Sequence, residues 1–308
     1  LANPFPQGLL RPTGNSLGLS TMLGLGISGP LRQQQVAYQS QWSLDLQRQL
    51  PFSITAEIGY TGTSSVGLPS ALALNQLHPD YLSLGSQLLR TVPNPFYGLI
   101  TDPSSTLSLA SVQYAQLLRP YPHFTAVNAV VTPSGHGNYH AMELKAERRF
   151  SQGFSLLFNY THSKSIDNVG EIGGSFGQAS GFNNLYCFSC DRALSYLDVP
   201  EYVNLSVRYE LPFGKGKRVL NRGWLARAFG NWAVAGIYSY ASGTPVIVTS
   251  PNNSNAFNSG IQRPMATGQK AALPGGPQIV DGGKYFNAGA FYQTPQFMFG
   301  NVSRQLPD

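Results

Sequence analysis

Residues 38–50 read YQSQWSLDLQRQL, and this stretch decides the fold. Apolar and polar residues alternate along it, so that Trp42 and Leu44 share one face with Leu46, while Gln41 and Asp45 share the other. Successive side chains of a β-strand point to opposite faces, and the pattern therefore predicts a two-faced strand of about a dozen residues. Strands of globular proteins usually have about five or six residues, whereas a tilted strand that crosses a bilayer needs roughly nine to eleven. The length favours a transmembrane β-barrel over a soluble sandwich.

The same alternation recurs along the chain, which we expect to contain about six long strands. The connections at 51–52 and 151–153 are short enough to close hairpins, whereas those at 64–137 and 167–200 are very long. Outer-membrane barrels have short periplasmic turns and longer extracellular loops. The sequence therefore predicts an all-β, antiparallel transmembrane β-barrel with long extracellular loops. One barrel domain is expected over 1–308, divided into a loop (1–33), a hairpin (34–63), a long extracellular loop (64–137), a hairpin (138–166), an extracellular loop (167–200), strands (201–250) and a loop-rich remainder (251–308).

Strand parity separates the side chains that would face lipid from those that would face the interior. In a wide barrel, outward positions are apolar and inward positions line a wet lumen. Arg48 and Arg148 fall on the apolar parity, but each lies near a short turn, where a long side chain can reach water. The lumen-facing candidates are Gln41, Asp45, Glu57, Glu143, Lys145, Glu147, Asn159, Arg208 and Glu210.

Composition agrees with a lipid-facing exterior. Only 11% of the residues are charged, about half the usual fraction. The net charge is +6, and its densest cluster lies in the turn sequence GKGKR at 214–218, which is typical of a solvated turn rather than of a phosphate loop. We therefore expect no nucleic-acid partner.

The two cysteines, Cys187 and Cys190, lie in a predicted loop. Outside the inner membrane such a pair usually forms a disulfide, but the spacing also permits free thiols, a redox pair or half a metal site. Ser, His and Asp are present without a nucleophile-elbow or triad signature, and His136 and His140 lack the glutamate of a zinc-protease motif. We expect no enzyme, no cofactor and no catalytic or metal site.

Several longer stretches resemble one family of membrane proteins. The chain is similar to the barrel region of Oar-like, TonB-dependent-receptor-related outer-membrane proteins of the kind common in Acidobacteria, which carry a carboxypeptidase-regulatory-like domain. The matching stretches are QSQWSLDLQRQLP (39–51), AEIGYTGTSS (56–65), NQLHPDYLSLGSQLL (75–89), VPNPFYGLI (92–100), QLLRPYPHF (116–124), YHAMELKAERRFSQGFSLLFNYTHSKSIDN (139–168), NLSVRYELPFGKGKR (204–218) and SGTPVIVTS (242–250).

The resemblance implies a location in the bacterial outer membrane and a barrel of roughly 22 strands, of which this chain would be a partial, open fragment. It also implies contact with outer-membrane lipid, an unknown small ligand or peptide, and a TonB-type energy-coupling protein that acts through a plug. The chain shows no Ton box, plug or N-terminal regulatory-like domain, and we expect it to be an internal piece of a longer protein.

Three functions remain open from sequence. The first is a TonB-dependent receptor that takes up a ligand across the outer membrane. The second is a surface barrel for adhesion or envelope organisation without transport. The third is a soluble secreted β-sandwich that acts as a binding module.

Overall fold

The fold is a long antiparallel sheet with a folded group of loops at one end. The computed structural model describes residues 16–32, 35–169, 172–173, 178–179, 182–217, 219, 222–251, 262–276 and 283–306. The strands are β1 (Gly26–Gly29), β2 (Tyr38–Leu50), β3 (Ile54–Ala73), β4 (Thr91–Pro93), β5 (Ser111–Gln113), β6 (Ala126–Ser151), β7 (Phe154–Asp167), β8 (Ile172–Gly173), β9 (Gln178–Ala179), β10 (Ala193–Leu194), β11 (Glu201–Glu210), β12 (Ala233–Ala241), β13 (Met265–Ala266) and β14 (Phe291–Tyr292).

Helices are short and lie in the connections. Among the described residues, none is long and apolar enough to cross a membrane. The α-helices are α1 (Tyr114–Leu117) and α2 (Gly223–Phe229), and the 3₁₀ segments are Gly18–Ser20, Pro51–Ser53, Pro79–Leu89, Thr106–Ser108, Phe188–Asp191 and Ala288–Ala290.

Six long strands form the main sheet in the order β12-β11-β7-β6-β3-β2, and each pairs antiparallel with its neighbours. Chain order and spatial order agree, so the strands form a meander with two large insertions. The sheet is open, because β2 and β12 each pair with a long strand on one side only. Both edge strands are exposed along their whole length.

The alternation located these strands well, and the predicted fold class is confirmed. The 3₁₀ segment Pro51–Ser53 closes the first hairpin, with Phe52 at a positive φ of 64°. The second hairpin turns at Gln152-Gly153, where both residues also have positive φ. These tight connections define the short-turn end of the sheet.

The predicted loop 64–137 is wrong at both ends. Strand β3 continues to Ala73, and β6 already begins at Ala126. The two strands pair as a ribbon that runs beyond the other strands, with register shifts near Pro69, which lies opposite Pro133. Proline donates no backbone hydrogen bond, and the prolines of this stretch had therefore favoured a loop. Proline is nevertheless tolerated in sheets at bulges and edges, so these residues are compatible with the observed strands.

Two smaller predictions also change. The stretch 201–250 was expected to be strands, yet β12 ends at Ala241 and residues 242–249 form no strand. The predicted opening loop 1–33 contains the short strand β1, which pairs parallel with the start of β6. Residues 1–15 and 33 of that loop lie outside the described residues.

The loops opposite the short turns fold together, and we refer to the described residues of 74–125, 182–200 and 262–306 as the loop cap. One core contains the buried side chains of Leu77, Leu88 and Ala115, against which Phe297 and Phe299 pack. These contacts join the first long loop to the C-terminal part of the chain. A second core contains Leu72, Ala129 and Phe182, and it joins the ribbon to the second long loop.

Candidate functional site

The register places all nine lumen-facing candidates on one face of the sheet. Glu57 lies opposite both Gln47 and Lys145 in its neighbouring strands, and Asn159 continues the row. Because directly paired residues point to the same side, the row can be followed across the whole sheet. It contains Gln47, Glu57, Lys145, Asn159, Asn204 and Ser239. We call this face the polar wall.

Charge on the polar wall is mostly negative and partly unpaired. The nine candidates include five carboxylates and two cations. Glu147 lies 3.7 Å from the ammonium nitrogen of Lys145, and Glu210 lies 3.1 Å from that of Lys217. Asp45, Glu57 and Glu143 have no ion-pair partner among the residues that the structure describes. The remaining charges therefore need water or a bound cation beside them.

The opposite face is apolar along an adjacent row. The residues of this row have only aliphatic and aromatic side chains. A depression of about 530 Å³ opens on the same face, where Ala56 pairs with Ala146. The row contains Leu46, Ile58, Leu144, Tyr160, Val203 and Tyr240. A sheet with one apolar and one charged face suits a barrel wall that separates lipid from a wet lumen.

The ends of the apolar face carry aromatic and cationic side chains. Arg148 donates a hydrogen bond to the carbonyl of Ser151 in the turn, and its guanidinium lies 5.3 Å from the ring centre of Phe154. The side chain thus turns toward the short-turn end, as snorkelling requires. At the other end, the hydroxyl of Tyr60 lies 2.8 Å from Nδ1 of His140.

Trp42 covers a glycine near the same end of the apolar face. A Cβ built on Gly62 would overlap the indole ring, which therefore lies flat over the neighbouring strand. His140 follows in the same cross-strand row, with its ring centre 6.3 Å from that of Trp42. Aromatic side chains are typical of both rims of a transmembrane barrel.

Comparison with known families decides where such a sheet belongs. A family described as "Outer membrane beta barrel domain" matches residues 1–306. The chain belongs to this family. It is located in the bacterial outer membrane, where it contacts lipid. Comparisons with curated proteins and with solved structures gave no match.

Outer-membrane barrels generally have short periplasmic turns and long extracellular loops. With that arrangement, the loop cap would face the outside of the cell. The soluble sandwich is wrong, because this family resides in the outer membrane.

Two buried ion pairs fasten the C-terminal part of the loop cap. Arg263 lies 2.6 Å from a carboxylate oxygen of Asp191, and these side chains are 10% and 4% exposed. Burial raises the pKa of Asp191, although the charge of Arg263 opposes that shift. Arg304 pairs with Asp167 at the end of β7 and also donates to the carbonyl of Asp191. Both contacts join residues more than 70 positions apart, and no sequence pattern pointed to them.

The second long loop is further tied down locally. Cys187 and Cys190 form a disulfide with a Cα–Cα distance of 5.4 Å. Gln76 bridges the two long loops, because its side chain donates to the carbonyl of Asn183 and accepts from the backbone N–H of Leu185. The described residues contain no group of three or more His, Cys, Asp or Glu side chains that could hold a metal ion.

Proposed function

We propose that the chain is part of the barrel of a transport protein that takes up a small ligand across the outer membrane. The observation that supports this most is the set of unpaired carboxylates on the polar wall, Asp45, Glu57 and Glu143. A small barrel fills its interior with side chains, and unpaired charges packed there would be strongly destabilising. A water-filled lumen accommodates them at little cost, which favours a wide barrel.

A wide barrel also explains the open sheet. Unpaired strand edges are not tolerated in lipid, so β2 and β12 would pair with further strands of a barrel of roughly 22, as in the Oar-like relatives that the sequence resembles. In that arrangement the loop cap meets the ligand first and the polar wall lines its path. By the same resemblance, a plug outside this segment would gate passage and a TonB-type protein would supply energy.

The lumen can be tested by outer-membrane permeability. Nitrocefin is an anionic β-lactam, and its hydrolysis by a periplasmic β-lactamase reports how fast it enters a cell. We expect expression of the complete barrel that contains this chain to raise that rate. Replacing Asp45, Glu57 and Glu143 by Asn, Gln and Gln should raise it several-fold further, because like charges no longer repel the solute.

A matched control is neutralisation of Asp80, an exposed carboxylate of the loop cap, which should leave the rate unchanged. If neither expression nor wall neutralisation changes the rate, a lumen lined by this face is refuted, and the adhesive or envelope-organising barrel becomes the better explanation. Deletion of the host's energy-coupling protein provides a separate arm. Permeation that is insensitive to the deletion would contradict TonB dependence while leaving the lumen intact.

A further inference from the structure

A cavity in the loop cap lies between the second long loop and the C-terminal segment. Its volume is about 460 Å³, within the ~300–1,000 Å³ typical of small-molecule sites. The polar side chains that line it are Asn183, Asn184, Arg192, Arg263, Asn301 and Ser303. We call this cavity the cap pocket.

Two buried groups of the cap pocket have unused hydrogen-bonding capacity. The side-chain oxygen of Asn183 and Nε of Arg263 have no hydrogen-bond partner within the described part of the chain, and each residue is 8% exposed. Buried polar groups are almost always paired in folded proteins. Both atoms are covered by protein and are not themselves contacts for a ligand. The amide and hydroxyl side chains that line the cap pocket both donate and accept hydrogen bonds, and a hydroxyl-bearing ligand matches them.

Arg192 adds a positive charge that the protein does not neutralise. It is exposed, and its guanidinium makes no ion pair or hydrogen bond to any residue that the structure describes. Arg263, by contrast, is already paired with Asp191. A guanidinium binds a carboxylate through two parallel hydrogen bonds, so Arg192 favours an anionic ligand.

The cap pocket is also held rigidly. The disulfide between Cys187 and Cys190 closes the turn that precedes Arg192, and the ion pair of Arg263 fixes the opposite side. A site whose side chains are already in position loses less entropy when a ligand binds.

We propose that the cap pocket binds a small sugar acid, a ligand with one carboxylate and several hydroxyl groups. The carboxylate pairs with Arg192, and the hydroxyls bond to the amide and hydroxyl side chains around it. This inference rests on the proposed function, in which the loop cap captures the transported ligand.

The test is calorimetric titration of the full chain in detergent micelles, with D-galacturonate, D-galactose and inorganic phosphate as probes. We expect D-galacturonate to bind at least tenfold more tightly than either other probe. Arg192→Gln should abolish the preference for the acid, and Arg192→Lys should restore it partly, because Lys keeps the charge without the two-pronged geometry. Arg227→Gln is the matched control, since it removes an exposed positive charge from α2 at the periplasmic end.

Several outcomes would overturn the proposal. They are a failure to bind D-galacturonate at millimolar concentration, equal binding by Arg192→Gln, and phosphate binding as tight as that of the sugar acid, which would indicate a simple anion site. Heat-dependent gel mobility shows whether each variant is folded. Binding without an effect of the chain on nitrocefin entry would refute the transport function alone, whereas nitrocefin entry without sugar-acid binding would refute the ligand class alone.

Discussion

Replacement of Arg263 by Met should loosen the loop cap while leaving the barrel strands intact. The substitution retains much of the aliphatic volume but removes the partner of Asp191, whose side chain is only 4% exposed. It also removes the hydrogen bond from Arg263 to the carbonyl of Cys190. Asp191 would keep the backbone N–H of Asn183 as a donor, at 3.0 Å.

The expected size follows from the burial of the pair. Removing one partner of a buried ion pair typically costs roughly 3–5 kcal/mol, because the other charge stays buried without compensation. At about 1.4 kcal/mol for each factor of ten, this corresponds to roughly 10²- to 10⁴-fold faster opening of the affected region.

Hydrogen exchange measured by mass spectrometry can resolve this effect by region. Peptides that cover 183–192 and 262–266 should exchange faster by that factor, whereas peptides from the middle of β7 and β11 should not change. Adding Asp191→Asn to Arg263→Met should recover part of the protection, because it removes the uncompensated charge. Arg149→Met serves as the control, since its side chain is 94% exposed and lies 3.8 Å from Glu147; exposed pairs contribute only ~0–1 kcal/mol.

Two results would refute this reasoning. A change of less than tenfold in both loop peptides would mean that the ion pair does not hold the loop cap. Equal acceleration in β7 and β11 would mean that the cap and the strands open as one unit.

Two further predictions concern the rim and the disulfide. Gly62→Ala should displace the indole of Trp42 and lower the free energy of unfolding by about 1–3 kcal/mol, the usual cost of overpacking. The control is Gly236→Ala, where a Cβ would meet nothing within 4 Å and the free energy of unfolding should not fall. If the two variants have the same Trp emission spectrum and the same urea midpoint, the packing argument is contradicted. Replacing both Cys187 and Cys190 by Ser should lower local stability by about 2 kcal/mol, because the cross-linked loop is short; unchanged exchange of peptide 183–192 would show that other contacts suffice to hold this turn.

Strand alternation was a reliable guide to the wall because lipid and lumen impose opposite requirements on successive residues. In β2 and β7 this pattern is maintained through most of the strand, although Leu157 of β7 lies on the polar wall opposite Glu147, and both the strands and their faces could be predicted. Beyond the rim the constraint disappears, which is why the ribbon around Pro69 and Pro133 was interpreted as loop. There the ladder is supported by side-chain bonds such as those between Ser70 and Thr132, both fully buried, which leave no periodic signal.

The loop cap was less predictable for a different reason. Its stability depends on contacts between residues far apart in sequence, such as Asp191 with Arg263 and Asp167 with Arg304. A single sequence gives no measure of which Arg will meet which Asp. The short spacing of Cys187 and Cys190 was a local signal that permitted a disulfide, free thiols, a redox pair or half a metal site. The structure contains the disulfide.

The ribbon of β3 and β6 has a mechanical consequence. Both strands run from the short turns to the edge of the loop cap, with register shifts near Pro69, so the ribbon moves with the wall, and bending it away would break a ladder of backbone hydrogen bonds. The described residues of 262–306 are attached differently, since they are held mainly by side chains, with arginines that contact Asp167, Asp191 and Leu194 and with Phe297 and Phe299 in the first core. Side-chain contacts can be exchanged one at a time, whereas a ladder yields cooperatively. The described residues of this segment would therefore separate from the sheet more readily than the ribbon, which would stay behind as a fixed frame.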